Sequence, residues 1–265
     1  MADLYQKFFV IIFFMIAGFG QSTNAQSIQV DLELVLAVDG SRSVDADEFS
    51  LQTEGIAAAF LHEDVLVALS AAAPRGIAVA LVQWAGSLDQ LTVVDWHHLK
   101  DREGAQIFAE QILLKGRQVR PGGTDIGEAI VFSLALLGRN RFDGTRRVID
   151  VSGDGYDNAG GRPETARDIA LGEGVVINGL TILNETPQLH GYYARRVVGG
   201  PGSFVIEAVD YSTFATAFRL KLIREIAGQR LARAEAASII KSDGTHGIVV
   251  RIYSGRMLNK RFASQ

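Results

Sequence analysis

The chain has 265 residues, 48% of them hydrophobic, which suffices for one large α/β domain with a full core. It contains no cysteine, which excludes disulfides, zinc–thiolate sites, thiol nucleophiles and a lipid anchor on an N-terminal Cys. The formal charge of −4 argues against nucleic acid as the main partner, but the charge is unevenly spread: from Arg230 onward seven basic and two acidic side chains give +5, leaving −9 for the rest.

The first element is a targeting segment. Lys7 precedes an apolar run from Phe8 to Phe19, and Thr23-Asn24-Ala25 places small residues where a signal peptidase reads. The run is short for a membrane span, so residues 1–25 read as a secretory signal cleaved near Ala25–Gln26, with an uncleaved anchor as the alternative. Leu32 to Val38 then reads as a central strand, apolar on both faces apart from Glu33, and it stops at Asp39-Gly40-Ser41-Arg42-Ser43. A strand end in an open α/β sheet is where ligands bind. One carboxylate and two hydroxyls, two residues apart, are hard oxygen donors suited to Mg²⁺, less strictly to Mn²⁺ or Ca²⁺; a tight loop without metal carries the same residues.

Asp45 and Glu48 form a capping-box pattern ahead of a helix whose inner face carries Phe49, Ile56 and Phe60. Gly76 to Trp84 and Leu91 to Trp96 read as strands joined by the short turn Ala85-Gly86-Ser87, hence a hairpin with an antiparallel edge strand. Asp101 to Leu114 is expected to be helical, with Ile107, Phe108, Ile112 and the leucines inward. Pro121-Gly122-Gly123-Thr124-Asp125 opens a helix through Leu137, and Thr124 occupies the expected N-cap; a hydroxyl there serves a cap or a cation.

Arg147 to Ser152 is the fourth strand and ends at Gly153-Asp154-Gly155. Asp150 lies inside it, and a buried acid of this kind needs a neighbouring Arg or a backbone N–H. A helix from Pro163 to about Leu171, strands from Val175 to Ile182 and from Ser203 to Glu207, and a closing helix marked by Phe214, Phe218, Leu222 and Ile226 complete the pattern. The alternation predicts a doubly wound α/β fold: a mostly parallel six-stranded sheet, one antiparallel edge strand, and helices on both faces. The expected division is a signal over 1–25, one domain over 26–228, and a basic extension over 229–265 in which Gly247 to Tyr253 has strand character.

Taken together, the Asp-x-Ser-x-Ser loop, the Gly-Gly-Thr-Asp loop and the acid after the fourth strand resemble a von Willebrand factor A domain, from about Val30 to Ala227. More narrowly, the pattern is similar to a bacterial family of exported proteins of this fold with unknown function. The resemblance implies a metal-ion-dependent adhesion site with Asp39, Ser41, Ser43, Thr124 and Asp154. In that family the serines, and often the threonine, hold the cation directly while the acids act mostly through water. One departure stands out: the family reads Thr-Asp-Gly straight after the strand, and this chain reads Ser152-Gly153-Asp154-Gly155.

The function implied is an exported, metal-dependent, adhesion-type module, periplasmic or secreted and monomeric. It would capture a carboxylate of a protein partner through Mg²⁺ (or Mn²⁺/Ca²⁺), without nucleic acid and with no stable membrane span once the signal is cleaved. The alternatives are a metal-dependent hydrolase on the same sheet and a metal-free scaffold. No P-loop or Gly-x-Ser-x-Gly is present, and Ser41 has no identifiable His partner, so an enzyme is not expected.

Overall fold

The computed structural model describes residues 27–242, with side chains through Gly228, and the strand pair Tyr253–Ser254. The signal segment and most of the basic extension lie outside these residues. β2 (Leu32–Asp39) and β3 (Ile77–Trp84) are buried along their whole lengths, as continuous apolar runs demand of strands covered on both faces. They pair in parallel, from Leu32 opposite Ile77 to Asp39 opposite Trp84. β4 (Gln90–Leu99) pairs antiparallel with β3 and forms one edge. β6 (Arg147–Gly153), β7 (Val176–Ile182) and β8 (Phe204–Ala208) continue the sheet in parallel on the other side of β2. The order is β4-β3-β2-β6-β7-β8, the doubly wound arrangement with its reversal between β2 and β6. The two-residue β9 (Tyr253–Ser254) lies antiparallel on β8.

Each face carries its own core. On one side α1 (Ala46–Leu61), α2 (Glu63–Ala72), α3 (Arg102–Lys115) and α7 (Tyr211–Ser242) pack Phe49, Ile56, Phe60, Phe108, Phe214 and Phe218 against Leu34, Leu36 and Val38. On the other, α4 (Ile126–Leu137) and α5 (Pro163–Gly172) pack Ile126, Ile130, Ala166 and Ala170 against Val35, Ala37, Ile149 and Val151. Among the described residues no single helix is long and apolar enough to cross a membrane.

Several details depart from the sequence expectations. In α3 the buried stripe is Ala105, Phe108, Ala109 and Ile112, a true i, i+3, i+4 face, whereas Ile107, Leu113 and Leu114 lie off it and are exposed. β4 runs past the expected end at Trp96 to include His97 and His98, whose rings pack on Phe108 and on Phe142, on opposite faces as strand alternation requires. Ile28–Val30 (β1) and β5 (Phe142–Gly144) form a small parallel ladder too short to leave a periodic signal. Asp150 is answered by a lysine, Lys221 of α7, at 3.0 Å, and not by an arginine. The arginines beside it serve carbonyls: Arg146 donates to the Glu225 and Ile226 oxygens, Arg147 to that of Glu173. The Arg146 bonds satisfy free carbonyls where α7 is interrupted at Gly228, whose φ of 64° favours glycine.

Candidate metal centre

The reversal of strand order between β2 and β6 brings two acids together. Asp39 is the last residue of β2. β6 runs through Gly153, which pairs with Thr181, so the additional glycine is strand rather than loop and Asp154 follows the strand directly. The departure from the family pattern therefore does not carry Asp154 away.

Four of the five expected residues form one chain of contacts. The Ser41 backbone N–H donates to Asp39 Oδ1 at 2.7 Å, the Ser41 and Ser43 hydroxyls lie 3.1 Å apart, and the Ser43 hydroxyl donates to Asp154 Oδ1 at 2.7 Å. Asp39 and Ser41 are fully buried, Asp154 is 4% exposed, and Ser43 is exposed, so the group opens to solvent at Ser43.

Thr124 joins through the third loop. Its N–H donates to Asn158 Oδ1 at 2.8 Å, its carbonyl accepts from the Asn158 N–H at 2.9 Å, and its hydroxyl faces Gly155, where a Cβ would sit 3.8 Å away. Thr124 is not the helix cap. Asp125 is, accepting from the Glu128 N–H through Oδ1 and from the Ser87 hydroxyl through Oδ2. That leaves the Thr124 hydroxyl outside the capping interaction. Asp157 accepts from the Ile126 N–H at 2.9 Å, so Asp157 and Asn158 clamp the second loop to the third.

The electrostatics are unbalanced. Burial first, then the charge of Asp154, pushes the Asp39 carboxyl up to about 7 against the pull of its Ser41 hydrogen bonds. The Asp154 backbone N–H also favours the charged form of that carboxyl, and among the described residues Asp39 Oδ2 closes no hydrogen bond. Among the described residues no ion pair involves Asp39 or Asp154. Nor do three His, Asp or Glu side chains gather anywhere among them as a metal cluster. The donor set is two carboxylates and three hydroxyls, with one carboxylate oxygen orphaned. It fits a small hard cation that retains water and does not fit a thiophilic or imidazole-seeking metal.

Three surrounding residues had no sequence signal. Tyr211, at the start of α7, donates its hydroxyl to Asp154 Oδ2 at 3.0 Å. Gln52 of α1 donates to the Asp39 carbonyl at 3.2 Å. Tyr193, from a π-helical turn over Tyr193–Val197 that continues the short α6 (Leu189–Tyr192), buries its ring behind Gly153.

Solved structures with this fold include proximal thread matrix protein 1 from the mussel byssus with a zinc-occupied MIDAS motif. It is 16% identical, with a TM-score of 0.53 over 76% of this chain and 49% of that one. A von Willebrand factor type A protein from Catenulispora acidiphila is 16% identical, with a TM-score of 0.52 over 74% of this chain and 43% of its own. The PilB minor pilin from Streptococcus sanguinis is 11% identical, with a TM-score of 0.53 over 75% and 62%. The chain thus spans about half or less of the first two, and identities this low speak to the fold alone. No curated protein matches the sequence. Residues 29–230 match the family described as Protein of unknown function (DUF1194), and the chain belongs to that family, on a von Willebrand factor A fold.

Proposed function

We propose that this chain is an exported, adhesion-type binding module that engages a protein partner through a divalent cation held by Asp39, Ser41, Ser43, Thr124 and Asp154. The observation that carries the reading is a pair of buried carboxylates, at the switch point of the sheet, that no basic side chain among the described residues neutralises and that opens to solvent through the Ser43 hydroxyl. Ser41, Ser43 and Thr124 supply neutral oxygens, and Asp39 and Asp154 supply the charge. Mg²⁺ suits this set best, with Mn²⁺ or Ca²⁺ as substitutes. When bound, the cation supplies an incompletely neutralised positive centre that attracts an external carboxylate.

The −9 body would repel an acidic partner, but that diffuse repulsion is screened beyond about 8 Å at physiological salt, so contact at the site prevails. A hydrolase would need a general base or a second metal; the described partners of Ser41 are Asp39 and Ser43, which favours binding. Residues 1–25 supply export, 26–228 the module, and 229–265 a basic extension. The pilin neighbour and the neighbour with a zinc-occupied MIDAS motif support the same class of activity.

The test uses the mature chain. Calorimetry should detect Mg²⁺ or Mn²⁺ binding that Ser41→Ala weakens. An immobilised acidic peptide should then retain the chain with Mg²⁺ and release it with chelator, while its amidated counterpart retains nothing. Retention that ignores chelator and fades with salt would assign binding to the basic extension instead.

A further inference from the structure

The loop that carries Ser41 and Ser43 also carries an arginine between them. The Val44 N–H donates to the Ser41 carbonyl at 3.3 Å and closes a tight turn with Arg42 and Ser43 at its tip. Both tip residues are exposed, while Ser41 is fully buried. The Arg42 N–H donates to the Gly122 carbonyl at 3.1 Å, which pins the tip to the second loop. The Arg42 side chain therefore leaves from the same tip as the Ser43 hydroxyl, the point at which the site opens.

Arginines stand at three places on the first two loops, and two of them are committed. Arg117 donates to the Val44 and Asp45 carbonyls at 2.7 and 2.8 Å, with its guanidinium 4.6 Å from the centre of the Phe49 ring. Arg120 pairs with Asp89 at 3.1 Å. The Arg42 side chain makes no hydrogen bond or ion pair with the described residues. On the α1 side the nearby acid is committed as well: Glu48 accepts from the Asp45 N–H through Oε2 and from Asn184 through Oε1, both at 2.9 Å. A fixed positive charge beside a cation site opposes the cation, so an uncommitted arginine there points to an anion from outside. A guanidinium is a planar fork of five N–H donors that matches a carboxylate.

We propose that Arg42 selects the partner: the cation takes one carboxylate, and the Arg42 guanidinium takes a second carboxylate of the same partner segment. In an extended segment residues i and i+2 share a face, so the fitting segment carries two acids separated by one residue. A segment with a single acid satisfies the cation and leaves Arg42 unused. The assignment rests on the metal reading of the site and adds to it the chemistry of the partner. It also gives a body of charge −9 a local positive mouth, built from the cation and one guanidinium.

The experiment uses the mature chain and three peptides with acetylated and amidated ends: Gly-Asp-Ser-Asp-Gly, Gly-Asp-Ser-Asn-Gly and Gly-Asn-Ser-Asp-Gly. In Mg²⁺ the diacidic peptide should bind about 5-fold more tightly than either of the others, the upper range for one exposed ion pair, and the preference should shrink as salt rises. Arg42→Gln should abolish the preference, and Arg42→Lys should keep part of it, since the charge remains and the fork is lost. Calorimetry should show Arg42→Gln binding Mg²⁺ at least as tightly as the wild type, because a like charge has been removed. An arginine that merely shaped the loop would give the reverse, weaker Mg²⁺ binding with the peptide preference intact. Equal binding of the three peptides to the wild type, or an Arg42→Gln chain that keeps the preference or loses Mg²⁺, overturns the assignment. If the wild type binds Mg²⁺ and holds all three peptides equally, the metal reading stands without Arg42; if it binds no Mg²⁺, both fall.

Discussion

Asp150, inside β6, and Asp154, just past its end, are four residues apart and both meet α7, yet the helix answers them differently. Asp150 meets Lys221, fully buried, at 3.0 Å, and the same ammonium holds Glu225 at 2.8 Å. Asn178 donates to both Glu225 oxygens, at 2.8 and 2.9 Å. Asp154 meets only neutral donors, the Tyr211 phenol and the Ser43 hydroxyl, and its neighbour Asp39 meets Ser41. The Asp150 and Asp39 carboxyls are each pushed up to about 7, chiefly by burial. For Asp150 a lysine resists that push; for Asp39 no cationic side chain among the described residues does. The first group is a closed structural ion cluster, and the second is an acid pair to which the described residues supply no counter-charge. Buried acids of one sheet are thus not one category: the presence or absence of an ion-paired cation among the described residues separates scaffold from site.

The largest expected effect lies in the closed cluster. Lys221→Met should leave two buried carboxylates facing each other and cost about 3–5 kcal/mol in denaturant unfolding, with or without Mg²⁺. Asp150→Asn should cost far less, because Lys221 then pairs with Glu225 alone. The pH dependence follows the same logic. Folded Asp150 keeps its proton to about pH 7, whereas an unfolded aspartate releases it near about 3.9. The folded chain binds more protons across that window, so stability falls as pH rises through it. Asp150→Asn should flatten that fall. An unchanged slope would show that Asp150 is ionised throughout.

At the site the comparison predicts the opposite sign. Asp39→Asn removes a buried charge that has no partner cation and keeps the acceptor for the Ser41 N–H. In chelator the variant should be at least as stable as the wild type. The wild type should gain about 2.7 kcal/mol from a cation at 100 times its Kd, and the variant should gain almost nothing. Thermal melts with and without Mg²⁺ measure both quantities. A variant that loses stability in chelator would place Asp39 with Asp150 as a structural acid.

How much of this was legible beforehand depends on the range of each interaction. The six long strands and the packed faces of α1 and α7 were readable, because buried parallel strands are continuous apolar runs and Phe214, Phe218, Leu222 and Ile226 repeat at helical spacing. The Asp39, Ser41 and Ser43 loop was readable because its donors are two residues apart. Tyr193 and Tyr211 were not, since they meet Asp39 and Asp154 only through strand pairing and helix placement. Nor could Gly153 be read as strand: a glycine before an acid signals a loop until its partner Thr181 is known. Lys221 was missed for the same reason; it sits 71 positions from Asp150 and looks like a surface lysine on an amphipathic helix.

The smallest predicted effect tests the one-residue shift of the α4 cap. Sequence spacing put the N-cap at Thr124, and the structure puts it at Asp125, whose Oδ1 accepts from the Glu128 N–H at 2.9 Å while Oδ2 accepts from Ser87 at 2.6 Å. Asp125→Ala should therefore cost about 1–2 kcal/mol, the usual penalty for a lost cap, and the loss should be the same in Mg²⁺ and in chelator, apart from any looseness it transmits to the loop. Thr124→Val keeps the shape of the side chain and removes a hydroxyl that accepts from Asn158 Nδ2 over a long 3.5 Å, so little stability rests on that bond. In chelator it should melt within about 1 kcal/mol of the wild type. In Mg²⁺ the difference should widen, because a hydroxyl that caps nothing is the one free to serve a cation. If the two variants exchange behaviours, so that Thr124→Val loses stability in chelator and Asp125→Ala loses only the response to Mg²⁺, then the threonine belongs to the helix and the second loop contributes no ligand.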